Sequence, residues 1–504
     1  MCDDWLNSFG TLTELVNVGP PRWNVPIETL SDDVLLEIFD LCLYKDEDIS
    51  PWCDPLIGYL YDEWYALAHV CQRWRYIVFA SPPRLDLRLQ CSRRRVREML
   101  GVWPAFPIII WDIMGLKSNE DNIAAALEHR DRVREIRLER LTKLKSESLM
   151  HLMREPFPAL TKLRIESYPP YATIDELTPV LPDSFLGGSV PHLRFLHLSY
   201  VSFPTLPNLL LTASHLVHLY LSGILSGFIS PEMVTALSAL TNLESMCFVF
   251  GYTDFDSDLE DPAPIPLTRS VLPALVALTL EGGGEYLDDF VARIDVPSIN
   301  YLGIKPTDRL SSVVDLSHLS QLIGRAENFT SLDSTSIEVG DDEINVVVTV
   351  TPAGHAVLRL HVLSSSGGPL PTLVQACSSP LLPLSNTQHL EISSQRPDSQ
   401  SHRQLDTGDT QWIDILRPFT AAKSLSLQST RVVLPVAFAL KRVIEDGRAD
   451  VLPAIQKISV LSGSMPAGPV RKAIEKFVAA RGLTFLEEPG FFDWRFSTQD
   501  ANDG

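Results

Sequence analysis

From residue 131 onward one short pattern recurs: an apolar residue, two variable ones, an apolar residue, one variable, then another apolar. It occurs as Val133-x-x-Ile136-x-Leu138, Leu160-x-x-Leu163-x-Ile165, Leu193-x-x-Leu196-x-Leu198, Leu216-x-x-Leu219-x-Leu221, Leu243-x-x-Met246-x-Phe248, Leu275-x-x-Leu278-x-Leu280 and Ile299-x-x-Leu302-x-Ile304. The last two apolar positions alternate as a half-buried strand requires, because residues two apart share one face of a strand. The segments between them carry helical spacing. Ser230-Pro231-Glu232 supplies an N-cap, an N1 proline and a first-turn acid ahead of Met233, Leu237 and Leu240, at i, i+4 and i+7. Leu287, Phe290, Val291 and Ile294 repeat that arrangement before the next strand. Each unit reads as one strand plus one helix.

Successive first positions lie 23 to 33 residues apart, straddling the roughly 20–29 residues of leucine-rich repeats. The region resembles an irregular leucine-rich-repeat solenoid without the asparagine that normally follows the strand, as in Leu198-Ser199-Tyr200 and Leu280-Glu281-Gly282. Regularity lapses between about residues 305 and 383, where Ile337 to Val350 and Val357 to Leu363 read as β-strands of an altered repeat or insertion. It resumes with Leu390-x-Ile392, Leu425-x-Leu427 and Ile455-x-x-Ile458-x-Val460. A closing helix with Val470, Ile474, Phe477 and Val478 on one face ends at Gly482, placed as a C-cap. The polar stretch from Ser393 to Gly408 reads as a loop.

The N-terminal part is different. In Leu30-Ser31-Asp32-Asp33-Val34-Leu35-Leu36-Glu37-Ile38-Phe39, Ser31 is an N-cap and the two acids fall in the first turn, where they complement the helix dipole. Leu30 and Leu35 are spaced as a hydrophobic staple, and Val34, Ile38 and Leu41 repeat at i, i+4 and i+7. Further on, Leu67, Val70, Cys71, Trp74, Ile77 and Val78 share one stripe of a helix that carries Gln72, Arg73 and Arg75 elsewhere, and Ser81-Pro82-Pro83 ends it. So few residues rarely sustain a core alone, so another surface must cover this apolar face.

This order of half-motifs, with Ala68-His69-Val70-Cys71-Gln72-Arg73-Trp74-Arg75 and then Pro82-Pro83-Arg84-Leu85, resembles the F-box of fungal F-box proteins over residues 27 to 90. Two departures stand out: Ser31 occupies the place of the usual proline, and an acidic, aromatic insertion from Tyr44 to Asp62 separates the helices. The resemblance implies that Leu30, Val34, Leu35, Ile38, Phe39, Leu67, Val70 and Trp74 dock the adaptor subunit of a cullin-based (SCF-type) ubiquitin ligase, and that the repeats bind a target protein. The chain would then be a substrate receptor and not an enzyme. The same spacing also serves the core of a helical cap, and a scaffold with a degenerate F-box is the alternative. The fold class expected is α/β: an N-terminal segment (residues 1–26, with Trp5, Phe9 and Leu12 spaced for a short helix), the F-box-like helical module (27–90), a connecting helix and strand region (91–130), the strand/helix solenoid (131–486) and a tail (487–504).

Composition narrows the function classes. The chain carries 63 acidic and 42 basic residues for a net charge of −21, which repels a phosphate backbone and argues against a nucleic-acid partner. Arg93, Arg94, Arg95 and Arg97 share a helical stretch with Val96, Met99 and Leu100 and read as a solvated face. Seven scattered cysteines without a CxxC pair disfavour a disulfide framework or a zinc site. The acidic start Met1-Cys2-Asp3-Asp4-Trp5 is unlike a signal peptide, and no apolar run approaches the roughly 18 residues of a membrane span. An intracellular protein, cytoplasmic or nuclear, with no membrane partner is expected. The sequon Asn328-Phe329-Thr330 is then without consequence.

Candidate chemistry is sparse. Asp254, Asp256 and Asp258 alternate like the start of a calcium loop, yet Leu259 takes the glycine position and Ile265 that of the bidentate glutamate. Gly282-Gly283-Gly284 follows a strand without a GK[ST], so a turn is expected. His192, His197, His215 and His218 lie in or beside repeat strands with no HExxH or GxSxG, and surface or rim positions are expected for them. Phe491, Phe492, Trp494 and Phe496 are expected to pack on the last repeat. No cofactor, metal or catalytic constellation emerges.

Overall fold

The computed structural model describes residues 27–42, 63–80, 87–91, 96–102, 105–112, 119–141, 143–167, 179–224, 231–250, 269–307, 317–329, 333–340, 343–349, 356–363, 369–379, 381–394, 409–461 and 468–488. The expected N-terminal helix, the Tyr44–Asp62 insertion, Arg93 to Arg95, the Asp254–Asp258 loop and the C-terminal aromatics lie outside these residues. The chain divides into two compact units, Met1–Leu87 with Pro104–Pro107, and Arg88–Trp103 with Ile108–Gly504.

In the first unit, helix α1 (Asp32–Cys42) begins as its sequence dictates. The Val34 amide donates to Ser31 Oγ at 3.4 Å and the Leu35 amide to the Ser31 carbonyl at 3.0 Å, with Asp32 and Asp33 in the first turn. The single stripe expected from Leu67 to Val78 is instead two helices, α2 (Glu63–Val70) and α3 (Gln72–Ala80). Cys71 separates them and caps the second: its sulfur accepts from the Trp74 amide at 3.4 Å and its carbonyl from the Arg75 amide at 3.0 Å. Satisfying those amides restarts the helix, so Ile77 and Val78 turn inward while Val70 and Cys71 stay exposed.

The second unit is mixed α/β, with a large sheet in which strands alternate with helices. The strands are β1 (Leu87–Gln90), β2 (Ile108–Asp112), β3 (Val133–Leu141), β4 (Lys162–Ser167), β5 (Phe195–Ser199), β6 (His218–Ile224), β7 (Ser245–Phe250), β8 (Ser270–Val271), β9 (Ala277–Gly282), β10 (Ile294–Asp295), β11 (Tyr301–Pro306), β12 (Ser334–Val339), β13 (Glu343–Thr349), β14 (Val357–Leu363), β15 (His389–Ser394), β16 (Ser424–Gln428), β17 (Lys457–Leu461) and β18 (Thr484–Glu488). Sixteen of them form one open sheet in the order β1-β2-β3-β4-β5-β6-β7-β9-β11-β14-β13-β12-β15-β16-β17-β18, and β8 pairs with β10 beside it. Fourteen α-helices are present among the described residues of the chain.

The repeated pattern sets the register. Ile136, Leu163, Leu196, Leu219, Met246, Leu278 and Leu302 stand opposite one another across seven parallel strands, and so do Leu138, Ile165, Leu198, Leu221, Phe248, Leu280 and Ile304. These two rows are buried, as are the first positions from Leu160 to Ile299. A one-residue slip would turn both rows to the opposite face, which is why a period-two pattern pins the pairing. Helices close the core from that side: Met233, Leu237, Leu287 and Phe290 are all buried. The strand and helix alternation starts earlier than residue 131, since β1, the helix Val96–Val102, β2 and the helix Glu120–Leu127 precede β3, and β2 pairs parallel with β3.

The irregular stretch is a reversal. Ile337 to Val350 is not one strand but the hairpin β12/β13, and β13 runs antiparallel to both β12 and β14. β14 then pairs parallel with β11, and β12 with β15, so the three strands enter the sheet in reverse order. Beyond it the rows resume as Leu390, Leu425, Ile458 and Phe485 and as Ile392, Leu427 and Val460. The helix Pro469–Arg481 closes as expected, with Gly482 left-handed at φ +67 and its amide donating to the Val478 carbonyl, and β18 follows it. Of the expected polar loop, Ser393 and Ser394 belong instead to β15, and residues 395–408 lie outside the described residues.

Candidate interaction surfaces

In the helical unit, packing sorts the eight residues expected to dock an adaptor. Leu35 and Phe39 are buried inside the unit, Leu30, Ile38, Leu67 and Trp74 are half-buried, and Val34 and Val70 are 44% and 59% exposed. The Trp74 ring sits 4.8 Å from that of Phe39, tilted by 56°. Leu41 is 86% exposed, and Ile27 and Tyr76 are exposed as well. The arginines flanking Trp74 hold this unit together. Arg73 donates to the Leu30 carbonyl at 2.6 Å and to Asp32 Oδ1 at 2.6 Å, tying α3 to the start of α1. Arg75 Nε donates to the Ala68 carbonyl at 2.9 Å, which satisfies an orphan acceptor at the end of α2.

The second surface is the sheet face opposite the apolar rows. The variable residue between each pair of row positions projects there, in register: Trp111, Arg137, Arg164, His197, Tyr220, Cys247, Thr279 and Gly303. Arg137 lies over the Trp111 ring at 5.5 Å and pairs with Glu135. Arg164 Nε is 3.0 Å from Glu139 and its Nη2 is 3.2 Å from Glu166. Burial raises the Glu139 carboxyl above its ordinary range, with Arg164 opposing. His197 stacks on Tyr220 at 4.0 Å and 17°, and Phe195 lies 6.4 Å from His197 and 6.1 Å from His218.

His197 departs from the rim position expected for it, being only 6% exposed. Among the described residues its buried Nδ1 has no hydrogen-bond partner, and neither does Nδ1 of the half-buried His218. Burial, reinforced by Arg164, holds the His197 imidazole well below its usual range. Burial also lowers His218, with Glu244 opposing and Arg194 and Lys162 adding to it. Tyr220 is pushed up to about 12, chiefly by burial. His192 and His215 are exposed, as expected. Single-sequence reasoning missed this row because its members have no common chemistry. The signal that locates it is positional, the middle residue of each motif.

The remaining candidates resolve structurally. Gly283 is the N-cap of the helix Gly284–Ala292, so the glycine run is a strand-to-helix turn as expected. Among the described residues no group of three or more His, Cys, Asp or Glu side chains is arranged to hold a metal ion, and no helix is long and apolar enough to cross a membrane. No protein-family model matches the chain, and no curated protein matches it.

Proposed function

We propose that this chain is a substrate receptor of a cullin-based ubiquitin ligase, with the helical unit as an F-box-type module that docks the adaptor and the repeats as a leucine-rich-repeat-like solenoid that holds a target protein. The observation that carries this reading is the division of labour in α1 to α3. Leu35, Phe39, Ile77 and Val78 give the unit its own interior, while Val34, Val70, Leu41 and Tyr76 are left uncovered. Apolar side chains left in water on a small helical unit mark a protein contact. The chain would act by proximity, bringing a bound target to the transfer machinery without making or breaking a bond itself.

The test uses the full chain and the purified adaptor subunit. Val34→Glu with Val70→Glu alters side chains that are not needed inside the unit, so the fold should survive. Burying two unpaired carboxylates in the interface should weaken adaptor binding at least a hundredfold, a loss of about 3 kcal/mol or more. Saturable binding that is indifferent to both changes in a folded chain would remove the docking assignment. Absence of adaptor binding by the unaltered chain would leave a scaffold that keeps only the helical unit.

A further inference from the structure

We propose that His192 and His215 together bind a divalent ion of the zinc and copper class at the exposed turns leading into β5 and β6, with water completing its shell. The site is separate from adaptor docking and stands whether or not the chain serves a ligase.

The two side chains occupy the same place in successive repeats, one residue before the first apolar position of the motif, at Leu193 and Leu216. The strands that follow, β5 and β6, are parallel neighbours, about 4.8 Å apart. Both rings are exposed, and their centroids are 5.9 Å apart. An imidazole nitrogen lies about 1.2 Å from its ring centre and a zinc–nitrogen bond is about 2.0–2.1 Å, so two rings sharing one ion have centroids about 5.2 Å apart at the tetrahedral angle and about 6.5 Å apart at most. The observed separation falls inside that range. Small rotations of two solvent-exposed side chains therefore suffice to bring both onto one ion.

The second observation fixes which nitrogen His215 offers. Its Nδ1 lies 2.8 Å from the Pro191 carbonyl oxygen and 3.3 Å from Ser214 Oγ. A carbonyl oxygen can only accept, so Nδ1 carries the proton and the lone pair of the neutral ring is on Nε2. A ring held through one nitrogen by a backbone carbonyl, with the other left for a ligand, is how proteins orient metal-binding histidines. The same bond is one rung of a ladder between turns. Asn242 Nδ2 donates to the Ser214 carbonyl at 2.8 Å, and Ser298 Oγ donates to the Pro273 carbonyl at 2.8 Å. Each rung runs from the residue before the first apolar position to the preceding turn, and asparagine or serine makes it as well as histidine does. What histidine adds at 215, beside a second one at 192, is a pair of nitrogen donors of the kind that suits zinc, copper or nickel.

The experiment titrates Zn2+ into the chelator-stripped full chain at neutral pH, in competition with a chromophoric chelator of micromolar affinity. One equivalent is expected to bind with micromolar affinity, at least tenfold more weakly in His192→Asn or His215→Asn, and not at all in the double variant. His389→Asn, which removes an exposed histidine bonded to Ser424 Oγ, should bind as the parent does. His215→Asn keeps the rung that Asn242 makes one turn later, so its Tm without metal should match the parent's, which separates lost ligation from lost folding. With Cu2+ as the probe, electron paramagnetic resonance should show coupling to two nitrogens that disappears in the double variant. The proposal is overturned by no zinc binding to the intact chain, by equal affinity in the double variant, or by an equal loss in His389→Asn. A lowered Tm in His215→Asn with unchanged metal affinity would overturn it too, assigning that histidine to the ladder alone.

Discussion

His197 shows how one side chain couples stability to pH. It fills a row position on β5 between Arg164 and Tyr220, stacked on the tyrosine, with a nitrogen that has no hydrogen-bond partner among the described residues. An unfolded imidazole binds its proton with a pKa near 6.5, whereas burial and Arg164 hold the folded one well below that. As pH falls through the unfolded value, the unfolded chain takes up a proton that the folded chain refuses, so this group's contribution to stability is present at neutral pH and lost on acidification. His197→Phe keeps a ring against Tyr220, removes the orphan nitrogen and does not titrate. The variant should match or exceed the parent in Tm at about pH 7.5, and its advantage should widen towards about pH 5.5. A constant difference across that range would refute the assignment.

At the level of elements, strand ends and helix starts carry the least obvious constraints. The position two beyond the last apolar row residue is left-handed in Arg140, Tyr200 and Gly223, at φ +54, +52 and +69. Gly223 in β6 leaves room for the Tyr200 ring, and a Cβ there would lie 2.6 Å from Tyr200 Cδ1. Gly223→Ala combines a backbone penalty of about 1–2 kcal/mol with overpacking of about 1–3 kcal/mol. A drop of about 2–4 kcal/mol in chemical denaturation is expected. A change within about 0.5 kcal/mol would mean that Tyr200 moves freely away. The glycine run at Gly282 was legible as a turn because glycines after a strand suit a sharp change of direction, but its second constraint was not: a Cβ on Gly282, at φ +149, would lie 2.7 Å from Phe250 Cβ on the neighbouring strand. The break at Cys71 was not, since a thiol is a weak acceptor seldom used as a cap and the apolar stripe runs straight through it.

For the sheet as a whole, the reversed strands β14, β13 and β12 are the joint between nine strands on one side and four on the other. β13 is the only strand in it with antiparallel partners on both sides among the described residues, pairing Val347 with Ser336 and with Arg359. Val347→Pro deletes a ladder amide and strains the central strand, an effect of about 3 kcal/mol or more. Hydrogen exchange should then show β12 and β14 losing protection while β4 to β6 keep theirs. Uniform loss across the sheet would mean that both blocks unfold as one cooperative unit.

The two buried rows, the α1 cap, the strand and helix alternation and the closing helix with Gly482 were all readable from residue order. Each depends on a period of two or 3.6, or on a cap a few residues away, and such local regularities are carried by the chain itself. Tertiary structure alone decided the order of β12 to β14, the early start of the sheet at β1 and the meeting of Arg164, His197, Tyr220 and His218 on one face. Those depend on which distant strands pair, and neither periodicity nor propensity encodes a partner that lies tens of residues away.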